Sequence, residues 1–194
     1  MIKPWFFSKS IKKRCHWAKD EPNTSDHDEE WGIPVHHDQK LFEFLILEGA
    51  QAGLSWSTIL NRREGYRDAF SNFDVVAVSK YTQNHVEKLV KNEKIIRNKL
   101  KINSAISNAK KFIEIQQKFG SFDQYLWRFV NNKPIRNSFH NYSDIPTHTA
   151  LSEQLSTDLK KYGFTFVGPT ICYAFMQAIG MVNDHTVDCF KYSK

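Results

Sequence analysis

The stretch Leu41–Trp56, LFEFLILEGAQAGLSW, decides how this chain is read. Leu41, Phe44 or Leu45, and then Glu48 fall at i, i+3/i+4 and i+7, the spacing of one helix face. The helix is apolar enough to bury most of its circumference, and Glu48 points the same way as the core leucines. A carboxylate there is costly unless a charge or a hydrogen-bond donor meets it. Gly49-Ala50-Gln51-Ala52-Gly53 follows, small residues that end a helix and admit a close backbone or ligand. Trp56 then restarts the apolar pattern. Taken alone these residues leave two readings open: a buried structural acid beside a core tryptophan, or the acid and indole of a pocket for a flat, nitrogen-rich ring.

Upstream, Asp38 is placed to cap this helix. The segment from Cys15 to Pro34 lacks periodicity and is rich in Asp, Glu, His, Pro and Asn, so it reads as a loop. It also carries Cys15, Trp17, His27 and Trp31, so something must pin it. Near the other end, Asn183-Asp184-His185-Thr186-Val187-Asp188-Cys189 puts His185 and Cys189 four apart, on one face if that turn is helical. Cys15, His27, His185 and Cys189 leave two readings open: a chance pairing whose spacing matches no zinc finger, or a Cys₂His₂ set, the donors of a closed, structural Zn²⁺ site. One zinc per chain would tie the two ends together. Cys172 sits in an apolar helix pattern and reads as core.

Downstream, the pattern predicts a helix from about Ser55 to Phe70, with Trp56, Ile59, Leu60 and Tyr66 inward. A short helical turn starts at Asp74. Another helix covers 82–90. A long one runs from about Arg97 to Phe119, with Leu100, Ile102, Ile106, Ala109 and Ile113 inward. Phe122–Val130 is a short aromatic helix, and 149–162 is another. Gly168-Pro169 opens the last apolar helix. No stretch alternates strictly, so the expected class is all-α with no sheet.

Charge adds a partner. The whole chain carries +6, and Lys91–Lys111 alone holds seven basic residues against one acid, Glu93. Lys94, Arg97, Lys99 and Lys101 fall at the junction between two helices. Residues 80–119 thus have the outline of a helix-hairpin-helix, which grips a DNA strand with backbone N–H groups and flanking cations. An ordinary helical hairpin with a solvated face is the reading these residues favour by themselves, because Lys94 and Leu100 stand where glycines would help. Residues 1–13 read as a flexible basic extension. No apolar run approaches the roughly 20 residues of a membrane span, and three cysteines do not make a disulfide framework.

Several ordered motifs carry a resemblance. RCHW at Arg14–Trp17, HDEEWGIP at His27–Pro34, LEGAQAGLSW at Leu47–Trp56, YGFTFVGPTICYAFMQAIGMVNDH at Tyr162–His185 and then Cys189 resemble the 3-methyladenine DNA glycosylase I family. The likeness runs from Arg14 to about Cys189. It implies an all-α helix-hairpin-helix glycosylase fold, one domain over 14–194, with 14–37 and 163–194 joined by zinc. It implies zinc ligands at Cys15, His27, His185 and Cys189, and a base pocket of Glu48 and Trp56 with Glu48 as the catalytic acid group. The implied partners are double-stranded alkylated DNA and free 3-methyladenine as product, for a cytoplasmic monomer with no membrane contact. Gln51 or Leu54, in the turn after Glu48, would fill the gap left by the flipped base. The expected reaction is hydrolysis of the N-glycosidic bond without lyase activity, since no nucleophilic lysine is identifiable. A zinc-stabilised module that probes DNA damage without cleaving is the alternative. The chain departs from the family pattern at Asp26, where the family often has Tyr, at Thr165 in place of a Lys, and in the extension before Arg14.

Overall fold

Helix α2 (Asp38–Gln51) is the axis of the molecule, and every residue from Leu41 to Ala50 is buried. The structure is a computed structural model in which residues 12–192 are described. Around α2 pack α3 (Trp56–Leu60), α7 (Lys99–Phe119), α8 (Phe122–Trp127) and α10 (Pro169–Ala178). Phe42 meets Phe112 edge-on at 5.3 Å between ring centroids, and Phe112 stacks on Phe122 at 3.9 Å. Burying each such ring stabilises the fold by about 1.5–3 kcal/mol.

The remaining α-helices among the described residues are α1 (Asn23–Glu29), α4 (Arg63–Ala69), α5 (Val75–Ser79), α6 (Gln83–Leu89) and α9 (Ala150–Lys161). Their ends follow from local chemistry. Asp74 caps α5 by accepting from Ala77 N at 2.9 Å, and Asn98 caps α7 by accepting from Leu100 N and Lys101 N. Thr149 caps α9, and Gly168-Pro169 opens α10.

The structure corrects the sequence reading in several places. The segment 15–34 is not all loop, because it contains α1. The expected helix over 55–70 is two, α3 and α4; the backbone turns at Arg62 (φ −113°), whose N–H bonds Ile59 O while its guanidinium donates to Thr58 O at 3.2 Å. Asp38 does not cap its own helix. Its carboxylate accepts from Phe122 N and Asp123 N at 2.9 Å and from Gln116, so it caps α8. Leu100 is 70% exposed, because it stands two residues, about 200° of helical turn, from the buried Ile102 and so faces the opposite way. Phe112 and Ile115 fill the core from that helix instead. A short parallel pair exists: β1 (Ile135–Arg136) beside β2 (Val182–Asn183), with Ile135 opposite Val182. Two residues per strand are too few for alternation to show. His185 and Cys189 meet through a turn after β2 and not along a helix. The expected basic extension, residues 1–13, lies almost wholly outside the described residues.

Two glycines show how the parts meet. At Gly65 an added Cβ would stand 2.4 Å from Lys94 O, so the connection between α6 and α7 lies directly on α4. At Gly180, with φ +69°, a Cβ would stand 2.3 Å from the Ile33 carbonyl carbon. There the C-terminal segment crosses the N-terminal one, and Val35 N donates to Ile179 O. No helix among the described residues is long and apolar enough to cross a membrane.

Candidate active site and metal centre

The crossing of the two ends leaves a cavity of about 600 Å³ beside α2. Glu48 and Gln51 face it from α2, Trp56 from α3, Tyr173 and Gln177 from α10, Trp17 and Trp31 from the N-terminal segment, and residues 142–147 close one side. Glu48 is 4% exposed, and its Oε2 has no hydrogen-bond partner among the described residues. Burial pushes its carboxyl well above the ordinary range, and the nearby Asp26 charge adds to the effect. A buried acceptor left open at the wall of a cavity has a cost that only an incoming donor or cation removes.

Trp56 is half-buried, and its Nε1–H donates to Asp26 Oδ2 at 2.9 Å. Asp26 is itself buried. Burial raises its carboxyl to about 6, against the lowering effect of the Trp56 hydrogen bond. Behind the opposite wall, Tyr173 Oη and Gln177 Nε2 donate to Asp184 Oδ2 at 2.6 and 2.7 Å, and Asn137 Nδ2 donates to Oδ1 at 2.7 Å. These bonds hold two wall residues in fixed rotamers. The cavity is therefore aromatic and acid-bearing, and among the described residues no Lys or Arg lines it. It suits a flat ring with donors on its edge and positive charge.

Cys15, His27, His185 and Cys189 come together and are all buried, with their ligand atoms within 4.8 Å of one another. Cys189 Sγ lies 3.3 Å from His27 Nε2 and 3.5 Å from His185 Nδ1, and Cys15 Sγ lies 3.5 Å from His185 Nδ1. Ligands about 2.0–2.3 Å from a tetrahedral zinc ion stand about 3.3–3.8 Å apart, so the donor set fits. The outer ring nitrogens are also used, as ligating histidines require. His27 Nδ1 bonds Asp28 Oδ1 at 2.8 Å, and Arg14 grips Asp28 through Nε and Nη2. His185 Nε2 bonds Trp31 O at 3.2 Å. Burial holds His185 down to about 4, so its lone pair is free for a metal. Trp31 packs edge-on against His185 at 4.6 Å and against Trp17 at 5.2 Å. The cluster thereby supports two walls of the cavity.

This architecture has known counterparts. Residues 17–192 match the family described as methyladenine glycosylase. The chain belongs to the methyladenine glycosylase family. It is similar to DNA-3-methyladenine glycosylase 1 of Escherichia coli (strain K12), 47% identical over 181 residues, which cover 93% of this chain and 97% of that protein. It is 44% identical to DNA-3-methyladenine glycosylase of Haemophilus influenzae over 177 residues, 91% of this chain and 96% of that one. A crystal structure of 3-methyladenine DNA glycosylase I superposes with a TM-score of 0.91 at 44% identity, covering 93% and 100% of the two chains. The Staphylococcus aureus structure that describes 3-methyladenine recognition superposes at 0.90 with 35% identity, covering 93% and 97%. As a methyladenine glycosylase, the chain is a hydrolase acting on N-glycosyl bonds.

In this methyladenine glycosylase the expected site residues fall into two groups. Glu48, Trp56 and Gln51 share the cavity, and the four cysteines and histidines share the cluster. Leu54 is 40% exposed, in the turn just beyond Gln51. Lys94, Arg97 and Lys99 are exposed on the connection between α6 and α7 and at the start of α7, with Lys94 3.5 Å from Asp68 and Arg97 3.4 Å from Glu93. Lys101 differs from them. Its Nζ donates to Ala50 O at 2.8 Å and Ala52 O at 2.7 Å, so it holds the C-terminal carbonyls of the Glu48 helix. Sequence reasoning missed that contact, the bond from Trp56 to Asp26, and the Tyr173–Asp184–Gln177 wall. For the last, the only signal was an acid inside the quoted stretch MVNDH.

Proposed function

We propose that this glycosylase flips N3-methyladenine out of double-stranded alkylated DNA and hydrolyses its N-glycosidic bond, without lyase activity. The observation that carries the reading is the unpartnered, buried Oε2 of Glu48 on the cavity that Trp56 lines. Methylation at N3 leaves the purine positively charged while it is attached to the sugar. Such a ring stacked on Trp56 gains cation–π attraction, about 2 kcal/mol when desolvated. Its exocyclic amine donates to Glu48, and its charge favours the ionised carboxylate that burial disfavours. Neutral adenine offers no such compensation, so discrimination follows from differential binding.

The chemistry asks little of the protein. The C1′–N9 bond breaks and its electron pair stays on N9, which neutralises the purine. Water adds at C1′ and gives its proton to solvent, leaving free 3-methyladenine and an abasic sugar. Glu48 and Trp56 hold the base for departure, and extrusion of a damaged base costs less than that of a paired one. Gln51 and Leu54, at the rim beyond Glu48, fill the gap in the stack.

The connection between α6 and α7 acts as the hairpin of a helix-hairpin-helix, with Lys94, Arg97 and Lys99 on phosphates. Cys15, His27, His185 and Cys189 hold zinc; with four protein ligands it supplies structural cross-linking of the chain ends. Release of free 3-methyladenine from methylated duplex DNA tests the reading. Binding of that DNA with no base released would overturn it.

A further inference from the structure

Asp26 ties two tryptophans of the cavity together. Its backbone carbonyl accepts from Trp31 N at 2.9 Å, and its Oδ2 accepts from the Trp56 indole at 2.9 Å. The residue is 5% exposed. Among the described residues, the Trp56 N–H is the hydrogen-bond donor that its carboxylate receives. Its position is fixed from the next residue on, because His27 is fully buried in the metal-ligand cluster. Asp26 is absent from the cavity lining, whereas Trp56 belongs to it. Asp26 therefore reaches whatever enters the cavity by contact only through the ring of Trp56, beside the effect of its charge on Glu48.

Two physical effects follow from an N–H donated to a carboxylate. The bond is charge-assisted, roughly twice as strong as a neutral one, and it fixes the plane of a ring that is otherwise half-open to solvent. It also draws the indole proton towards negative charge and leaves more electron density on the ring face. That face is the part of an indole that attracts a cation. We propose that Asp26 is a positioning and specificity residue, which orients and polarises Trp56 so that the cavity prefers a cationic purine over a neutral one. This rests on the base-binding reading above and deepens it.

The test uses the full chain with its metal, and three variants: Asp26→Ala, Asp26→Asn and Trp56→Phe. Asparagine keeps an acceptor for the indole but removes the charge. The probes are 3,9-dimethyladeninium, a fixed cation, and 9-methyladenine, its neutral counterpart. The ratio of their affinities should fall by about 2- to 30-fold in Asp26→Ala, the span of a cation–π contribution. Asp26→Asn should lie between that and the wild type. In a Trp56→Phe background, Asp26→Ala should change the ratio much less, because only the Asp26 charge on Glu48 is then left to remove. The Trp56 indole N–H resonance, assigned by its loss in Trp56→Phe, should move in Asp26→Ala and stay closer to its original position in Asp26→Asn.

An unmoved indole resonance, an unchanged ratio in folded Asp26→Ala, or an equal effect with and without Trp56 would each overturn the inference. Base release by the wild type from methylated DNA is followed alongside. A wild type that binds neither probe and releases no base contradicts the functional reading, and the indole resonance still reports on the Asp26–Trp56 bond.

Discussion

His27 Nε2 stands 3.3 Å from Cys189 Sγ, joining residues 162 positions apart. With Cys15 and His185 beside them, this contact closes the chain on itself at the wall of the cavity. Freshly purified protein is expected to hold about one zinc per chain. Cys15→Ser or His185→Ala should lower the melting temperature sharply, because metal binding contributes about 10–16 kcal/mol of apparent free energy in small zinc peptides. Trp17 and Trp31 lean on these histidines, so base binding should be lost together with the metal. Metal analysis and melting curves with and without chelator check this; a melt indifferent to chelator would contradict it.

Glu48 makes the protein's stability depend on pH in a definite direction. Its folded-state carboxyl is raised well above the ordinary value of 4.5, by burial first and by Asp26 second. Between 4.5 and the raised value the folded chain binds more protons than the unfolded one, so this group's contribution falls as pH rises. Glu48→Gln carries no such penalty. Its melting temperature should match the wild type below about pH 4.5 and exceed it increasingly towards neutral pH, by about 2–4 °C for each kcal/mol relieved. Calorimetry over that range reads the difference. A Gln variant no more stable than wild type at neutral pH would show that Glu48 is satisfied in the folded state.

Lys99 and Lys101 are two residues apart and should behave differently. Lys99 is exposed at the start of α7, so Lys99→Ala should weaken binding to any duplex and reduce the salt slope by about one unit. Lys101 donates to Ala50 O and Ala52 O, and burial lowers its pKa. Lys101→Met should leave the salt slope nearly unchanged and destabilise the Glu48 helix end by about 1.5–3 kcal/mol at most, since the site is partly solvated. Salt titrations and denaturant melts separate the two. Equal salt slopes for both variants would make Lys101 a phosphate ligand.

The parts of this molecule that were legible in the sequence are those encoded by periodicity over many residues. Leu41–Glu48 announces both its own burial and the misplaced acid. The four donors are also legible, because cysteine and histidine have few reasons to sit in a pinned irregular segment. Helix α1 was hidden by its polar, seven-residue sequence NTSDHDE. Leu100 was read inward with Ile102, although two residues along a helix put the pair on opposite faces, and only Ile102 is buried. Asp26 was visible as a departure from the family pattern, but its partner was not. The Trp56 indole is 30 residues away, and only the packing of α1 on α3 brings the two together.

The buried charge of Glu48, on this account, holds a cationic base over Trp56 for departure. Single-turnover excision from methylated duplex DNA by Glu48→Gln tests that claim most directly, with fold and metal content verified in the same preparation. Glutamine keeps the shape and one acceptor but loses the charge, and a charge-assisted hydrogen bond contributes about 1.5–3 kcal/mol. Excision slowed by about 10- to 150-fold with the fold intact is the expected result. A folded, zinc-loaded Glu48→Gln protein that releases 3-methyladenine at the wild-type rate would contradict it.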